Sequence, residues 1–546
     1  GITSYYDDLS LARTGLITPE SYLELLGQTL TRVYRGRGRF KQTVTESSFD
    51  AWTRFYKQDE NAPNAIVSYY AKGSLVALAL DLTLRERTND ARSLDDLMKN
   101  TPADGLIGGV GEVNNHLFGP ELTRCMGISY DYTVLAGTQG YLNHKKTDRL
   151  VELAHDQDLP IVLFAEGGGG RPGDVDAVTA SGLDVTTFRS FAALSGRQPR
   201  IGIAAGRCFA GNAVLYGCCD LTIATKNANI GLGGPAMIEG GGLGRFKPED
   251  IGPIDVQTAN GVVDLAVEDE AEAVAKTRQI LGFFQGDVPE WKAPDQRLLR
   301  HAIPEDRLRV YDIRKVIDLL ADEGSVVELR REFGVGIVTA FARIEGRAIG
   351  LMANDPKWLG GAIDSEAADK AAHFMQICDA YNLPIVSLCD TPGFMVGPES
   401  EKTASVRHGA RMFIVSAALR VPVYTIVLRK GYGLGAQAMA SGGFHSTAMT
   451  ISWPSGEFGG MGLEGAVKLA YRKELEAISD PVERDELYAR KVAQLYDVGR
   501  ATAVAQYLEI DAVIDPADTR AWVMRGLKMR PPERGHAQAR RYIDTW

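Results

Sequence analysis

Along most of this chain, short continuous apolar runs alternate with stretches whose apolar residues recur every three or four positions. The runs LPIVLFAE at 159–166, RIGIAA at 200–205, LPIVSLCD at 383–390 and VYTIVL at 423–428 are of strand length and end in turn residues, the pattern of strands buried on both faces of a sheet. Between them, KKTDRLVELAHDQD at 145–158 and KAAHFMQICDAYN at 370–382 carry the spacing of a one-sided helix. Strands alternating with helices predict an α/β fold with mainly parallel strands. Residues 1–98 differ: SYLELLGQTLTRVY and SLVALALDLTLRER have helical spacing only, so this segment is predicted to be mainly helical.

The α/β pattern occurs twice. A shift of 224 positions lays LPIVLFAE on LPIVSLCD and, without a gap, pairs Asp131 with Asp355, Leu135 with Leu359, Gly137 with Gly361, Lys146 with Lys370 and Gly211 with Gly435. One offset held over motifs of several kinds predicts two copies of one fold, with Glu166 lying over Asp390. In each copy a glycine-containing turn (LAGTQG, LGGAID) precedes the helix, and a second glycine turn follows the strand. Further on, RIGIAAGRCFAGNAVL and VYTIVLRKGYGLGAQAM again run strand, glycine turn, helix start. Each copy therefore presents two glycine turns that open helices.

Three readings fit the tract AEGGGGRPGD at 165–174. Glycine-rich tracts serve as flexible loops, but this one follows a strand and has a counterpart in the second copy. Gly168, Gly170 and Gly173 satisfy GxGxxG, a weak dinucleotide signal that has no match in the partner turn DTPGFMVG. The third reading is an oxyanion hole. Glycine lets a backbone approach a ligand closely, and free N–H groups at a helix start face developing negative charge. Two copies then give two holes, which suits passage of a carboxyl group between a urea-like carrier and an enolate.

Composition removes other classes. The 546 residues are 45% hydrophobic and 24% charged, with a net charge of −10, so the chain is globular and lacks the basic face of a nucleic-acid binder. No apolar stretch approaches the roughly 18 residues of a membrane span, and no basic-then-apolar leader opens the sequence, so a cytoplasmic location is expected. The six cysteines lie in apolar runs without CxxC spacing, as buried reduced thiols do. No Ser–His–Asp order, HExxH or P-loop is present, which leaves triad, zinc and ATP chemistry without residues.

The strings SYDYTVLAGTQG, FAEGGGGRPGD, GRCFAGNAVLYGCCD, GGPAMIEGGGLG, GLMAND, LCDTPGFMVGPESE and RKGYGLGAQAM resemble those of the carboxyltransferase component of biotin-dependent acyl-CoA carboxylases, over about 101–520. The resemblance implies tandem crotonase-like (ββα spiral) domains: 99–295 binding acyl-CoA and 296–546 binding carboxybiotin. It implies active sites shared between subunits of a homo-oligomer, at least a dimer. By the same resemblance one hole falls at Gly168, Gly169, Ala210 and Gly211, and the other at Gly393, Phe394, Leu434 and Gly435. Arg171, Lys145 and Lys146 are candidate ligands of the CoA thioester; a structural salt bridge for Arg171 and plain solvated helix positions for the lysines are the competing readings. Glu166 and Asp390 are either site carboxylates or caps of the turns that follow.

Two departures stand out. Gln437 occupies a position where the family often carries Asp, so it is a candidate determinant of the acyl group. The family's opening segment is absent before residue 101, and 1–98 instead resembles the helical part of zinc-dependent glycyl aminopeptidases without a metal site, since no histidine precedes His116. That segment is expected to be noncatalytic. Lys528, in GLKMR, lacks the Met-Lys-Met context of a biotinyl lysine, and nothing resembles an ATP-grasp domain. A separate biotin carrier and a biotin carboxylase are therefore the expected partners, with no metal in this chain. Two alternatives stay open: the carboxyltransferase of a biotin-dependent decarboxylase, and a noncatalytic assembly or peptide-binding module.

Overall fold

The structure is a computed structural model that describes residues 2–44, 47, 65–90, 105–170, 183–529 and 542–546. Arg171 lies outside the described residues. Helices α1 (Ile2–Arg13), α2 (Pro19–Arg35) and α3 (Tyr69–Arg87) form the N-terminal part. They pack on one another around Tyr5 and Ala77, and the Tyr5 hydroxyl donates to Asp81 at 2.8 Å. Thr18 caps α2 by accepting the Ser21 N–H, and Ser68 caps α3 by accepting that of Ala71. The helical expectation for this segment thus holds over its described residues.

The first copy is a six-stranded sheet in the order β1-β2-β3-β4-β6-β8. Its strands are β1 (Leu106–Glu112), β2 (Arg124–Tyr130), β3 (Ile161–Phe164), β4 (Arg200–Ala204), β6 (Leu221–Thr225) and β8 (Leu265–Val267). All pairs after β1–β2 are parallel. Short strands β5 (Arg207–Phe209) and β7 (Asn229–Gly231) pair beside it. Helices α4 (Tyr141–Asp156), α5 (Thr187–Ala192) and α6 (Gly211–Gly217) make the crossovers, and α7 (Glu270–Gln285) follows β8.

The second copy opens with α8 (Ile313–Leu320) and β9 (Val327–Leu329). Strands β10 (Ile337–Ile344), β11 (Arg347–Asn354), β12 (Ile385–Thr391), β13 (Val423–Tyr432), β14 (Met449–Ser452), β15 (Glu457–Gly459) and β16 (Ala512–Val513) complete an eight-stranded sheet. Helices α9 (Ser365–Ala380), α10 (Ser405–Ala418), α11 (Gly433–Met439) and α12 (Thr519–Met529) surround it. The offset of 224 is kept from β2 through β3: α4 maps onto α9 end for end, and Met126 opposite Ile161 becomes Gly350 opposite Ile385.

The offset then slips. Ile161 faces Arg200, but Ile385 faces Val423, one residue short of the repeat. The slip persists through the following turn, where Phe209 faces Gly231 and Tyr432 faces Gly459. The structural counterpart of Ala210 is therefore Gly433, that of Gly211 is Leu434, and that of Asn212 is Gly435. Backbone conformation agrees, with φ of 50° at Ala210 and 56° at Gly433. The expected superposition of Gly211 on Gly435 is wrong by one residue, because the α10 crossover is shorter by one. Glu166 and Asp390, upstream of the slip, keep their correspondence.

A buried ion pair joins the halves, Arg330 to Asp264 at 2.8 Å. Arg200 pairs with Asp220 at 2.6 Å, and Tyr381 of the second copy donates to the same carboxylate at 2.6 Å. Lys370, 1% exposed, donates to the carbonyls of Arg330 at 2.7 Å and Phe333 at 3.0 Å. Burial disfavours its charged form and lowers its pKa from 10.5 to about 7. Between those two values the unfolded chain binds a proton that the folded chain lacks, so folding stability gained through Lys370 rises with pH across that window and is flat below it. Denaturation of wild type and Lys370→Met from pH 7 to 10 should therefore show their difference moving in favour of the wild type.

Candidate active site

In each copy, two turns approach each other at the C-terminal ends of parallel strands: one after β3 or β12, the other at the start of α6 or α11. The first turn of the first copy is held from inside. Gly167 N–H donates to Arg207 O at 2.8 Å, Gly168 N–H to Ala136 O at 3.2 Å, and Gly169 N–H to Asn212 Oδ1 at 3.0 Å. The Asn212 amide also donates to the carbonyls of Gly137 at 3.3 Å and Glu166 at 3.4 Å. Gly168 and Gly169, expected as donors, are thus spent on building the turn. Gly170 N–H finds no backbone acceptor among the described residues, and neither does Gly211 N–H at the first position of α6. Gly169 has φ of 83°, and a Cβ there would come within 3.1 Å of Gly211 N, so the two turns touch.

The second copy reaches the same result by other means. Gly393 N–H is taken by Thr391 Oγ1 at 3.1 Å, while Ile363 N–H donates to Gly393 O at 3.0 Å and Met395 N–H to Ile363 O at 2.8 Å. Phe394 N–H, the counterpart of Gly170, is left without a backbone acceptor, as is Leu434 N–H, the counterpart of Gly211. At Gly435, in the place of Asn212, a Cβ would lie 2.7 Å from Gly393 Cα and C and 3.1 Å from Phe394 N. A bridging amide orders the first turn; bare backbone contact orders the second. Among the expected residues, Gly211, Phe394 and Leu434 carry the free donors, Ala210 sets the helix entry with its positive φ, and Gly393 and Gly435 provide the close approach.

The carboxylates differ in role. Asp390 is fully buried and accepts from Tyr311 at 2.8 Å and Lys430 N–H at 3.1 Å, and it pairs with Arg429 at 3.2 Å and Lys430 Nζ at 2.7 Å. Glu166 accepts a short hydrogen bond from Ala205 N–H, and burial raises its pKa. Each therefore ties its turn to the neighbouring strand. The lysines divide as well. Lys146 donates to Leu106 O at 2.5 Å, a backbone tie, whereas Lys145 is exposed on α4 with its Nζ 5.4 Å from the Tyr141 ring centroid. Gln437 is exposed on α11.

The first site opens into a cavity of about 460 Å³ lined by Gly168, Gly170, Arg207, Phe209, Pro235 and Met237. A second cavity of about 730 Å³ shares Tyr132 and Arg207 with it and adds Glu166, Lys226 and Glu270. Arg207, paired with Glu249 at 2.7 Å, is the cation at this site that the sequence reading passed over. Asn212 and Gly170 were passed over too. The offset of 224 already pairs Gly170 with Phe394, and RCFA and KGYG share a basic, any, aromatic, small pattern that gives the correct phase of the second turn.

Residues 73–541 match the carboxyl transferase domain family. The chain belongs to that family. It is 32% identical over 453 residues to the methylmalonyl-CoA carboxyltransferase 12S subunit of Propionibacterium freudenreichii subsp. shermanii, covering 81% of this chain and 84% of the relative. The solved transcarboxylase 12S hexamer superposes with a TM-score of 0.70 at 30% identity, over 81% of this chain and 85% of that one. A single-chain, multi-domain long-chain acyl-CoA carboxylase gives 0.74 at 56% identity over 82% of this chain, which spans 44% of that protein's length. The two sheets of this carboxyl transferase are the tandem crotonase-like fold. Residues 1–76 match the M61 glycyl aminopeptidase family. Among the described residues, no group of three or more His, Cys, Asp or Glu is placed to hold a metal, no helix is long and apolar enough to cross a membrane, and the six cysteines are free thiols.

In this carboxyl transferase Asn212 is fully buried and holds three backbone groups, Gly169 N–H and Glu166 O of the first turn and Gly137 O of the turn before α4. Asn212→Ala should lower stability by about 1–3 kcal/mol, because those groups lose a buried partner. It should also reduce acyl-CoA turnover more than carboxybiotin decarboxylation, as read from denaturation midpoints and the two rates.

Proposed function

We propose that the chain is the carboxyltransferase of a biotin-dependent acyl-CoA carboxylase, moving a carboxyl group from carboxybiotin to the α carbon of an acyl-CoA through an enolate. The observation that carries this reading is the duplicated site: in each copy an N–H without a backbone acceptor in the first turn (Gly170, Phe394) lies beside another at the helix start (Gly211, Leu434). Residues 99–295 take the acyl-CoA, with the thioester oxygen facing Gly170 and Gly211. Residues 296–546 take carboxybiotin, with the ureido oxygen facing Phe394 and Leu434. The second turn suits such a planar ring: Gly393 and Gly435 carry no side chain, and the backbone of the two turns comes into contact there. Carboxybiotin, carried on a separate protein, supplies the carboxyl group. The chain's own part is to hold the two oxygens as charge builds on them, and one such donor is typically worth about 10²–10³ in rate.

Biotin carboxylase and a biotin carrier are the partners in this reading, and the cytoplasm is its setting. Leu434, 63% exposed, stands with Val396, Val406 and Ile414 on the elements flanking the second turn, and Leu232, Met237, Leu243 and Phe246 flank the first. Apolar surface of this kind beside both turns supports sites completed at a subunit interface. Residues 1–98 are a noncatalytic segment. Incubation with malonyl-CoA or methylmalonyl-CoA and free biotin tests the reading: carboxyl transfer to biotin is expected, and a folded protein that transfers none with any acyl-CoA would remove it.

A further inference from the structure

Helix α10 backs the turn that carries Gly393 and Phe394. A Cβ on Gly409 would lie 3.2 Å from Phe394 Cε1, and the ring centroids of Phe413 and Phe394 are 6.3 Å apart. Hydroxyls join the starts of α9 and α10 to the same turn: Ser400 Oγ donates to Met395 O at 3.1 Å, and Ser405 Oγ lies 2.6 Å from Ser400 Oγ and 3.3 Å from Ser365 Oγ. Farther along, charge joins the two helices. Arg411 of α10 donates to Asp369 Oδ1 of α9 at 3.0 Å and to its carbonyl at 3.3 Å, and His408 Nδ1 lies 2.6 Å from Asp369 Oδ2. Where α10 sits therefore sets where the Phe394 ring and its backbone sit.

Residues 542–546 lie across the seam between the two copies. Ile543, 4% exposed, donates its N–H to Ser195 Oγ at 3.0 Å and accepts from that hydroxyl at 2.7 Å, just past the end of α5 in the first copy. Asp544 reaches the second copy. Its N–H donates to Gln376 Oε1 of α9 at 3.3 Å, and Gln376 Nε2 donates back to Asp544 Oδ2 at 3.1 Å. The other carboxylate oxygen pairs with Arg411, accepts the Trp546 N–H at 3.2 Å and stands 3.9 Å from Nδ1 of buried His373. The Trp546 ring centroid is 5.6 Å from that of Phe333. Asp544 is thus held by its own backbone and by α9, and its attraction for Arg411 acts on α10.

We propose that Asp544 is a positioning residue for the carboxybiotin half of the site: through Arg411 it fixes α10 against α9, and so fixes the place of the Phe394 N–H. A guanidinium shared by two carboxylates, Asp369 and Asp544, is held in direction as well as in distance, because its donors form a rigid planar fork. Without Asp544, Arg411 keeps Asp369 and the hydroxyls keep the helix start, so α10 stays folded but is free to shift against the turn. A donor aimed at developing charge tolerates little such movement. The inference rests on the reading of Phe394 N–H as a donor to carboxybiotin.

Asp544→Asn in the full chain keeps the size of the side chain and its hydrogen bonding to Gln376 while removing the charge that holds Arg411. It should lower kcat for carboxybiotin decarboxylation without acyl-CoA by about tenfold, with the KM for acyl-CoA in the transfer reaction and the denaturation midpoint close to those of the wild type. Asp544→Glu, which restores the carboxylate, should recover most of that rate. Combined with Arg411→Gln, Asp544→Asn should add no further loss, since the two residues act through one contact. Amide exchange supplies a readout that does not depend on turnover: Ile363 and Met395, whose N–H groups tie the turn to the start of α9, should exchange faster in Asp544→Asn. A wild-type chain that neither transfers nor decarboxylates would remove the function proposed above and leave exchange to decide the positioning. Exchange equal to that of the wild type, an unchanged kcat, or losses that add in the double variant would overturn the proposal.

Discussion

Gly435→Val should lower carboxyl transfer, and the decarboxylation of carboxybiotin without acyl-CoA, by about 10²-fold or more, while keeping the far-ultraviolet circular dichroism of the wild type. The cause is geometric. A Cβ at 435 meets Gly393 Cα and C at 2.7 Å and Phe394 N at 3.1 Å, and real Cβ atoms do not approach backbone so closely. The turn at 393–394 has to move, carrying the Phe394 N–H away from the place proposed for the ureido oxygen. Gly211→Val provides the contrast. Its Cβ would meet Gln139 Oε1 at 2.1 Å and Phe188 Cζ at 3.2 Å, so the disturbance falls in the first copy, the one proposed to take acyl-CoA. Transfer should fail with every acyl acceptor while carboxybiotin decarboxylation survives. A folded Gly435→Val protein with normal rates in both assays would make the second turn a structural feature only.

Asp390→Ala should be among the most destabilising single changes in the chain, costing about 3–5 kcal/mol. The carboxylate sits in full burial between Arg429 and Lys430 and accepts from Tyr311. Its removal leaves the Arg429 guanidinium, whose side chain is 4% exposed, in a low-dielectric interior without its counter-ion. Glu166→Ala should cost much less, since that carboxylate holds one backbone N–H beside an open cavity. Chemical denaturation of the two variants decides the matter: equal and small losses would show that Asp390 does not clamp β12 to β13. Carboxybiotin decarboxylation should fall with stability in Asp390→Ala, because the clamp lies immediately before the second turn.

The duplicated architecture was legible because both copies bury the same strands and helices, and burial restricts composition strongly. LPIVLFAE and LPIVSLCD, or the helices at 141–156 and 365–380, show their equivalence by apolar pattern alone. The helical N-terminal segment was legible for the same reason. The identity of the donors was not. A run of four glycines states that backbone comes close to something, but it does not state which N–H groups remain unspent, and Asn212 and Ala136 settle that from distant points in the chain.

The sequence by itself determined that two α/β copies exist and that each carries two glycine turns at strand ends. Tertiary structure alone decided the one-residue slip that makes Leu434, and not Gly435, the partner of Gly211. It also decided that Gly170 and Phe394 hold the open donors, and that, among the described residues, β9 covers the edge of β10 while no strand pairs with the outer edge of β1. The physical reason is common to all three. Periodicity records which face of an element is buried, whereas the phase of a turn, the partner of an N–H group and the cover of a sheet depend on segments far away in sequence that meet only when the chain folds.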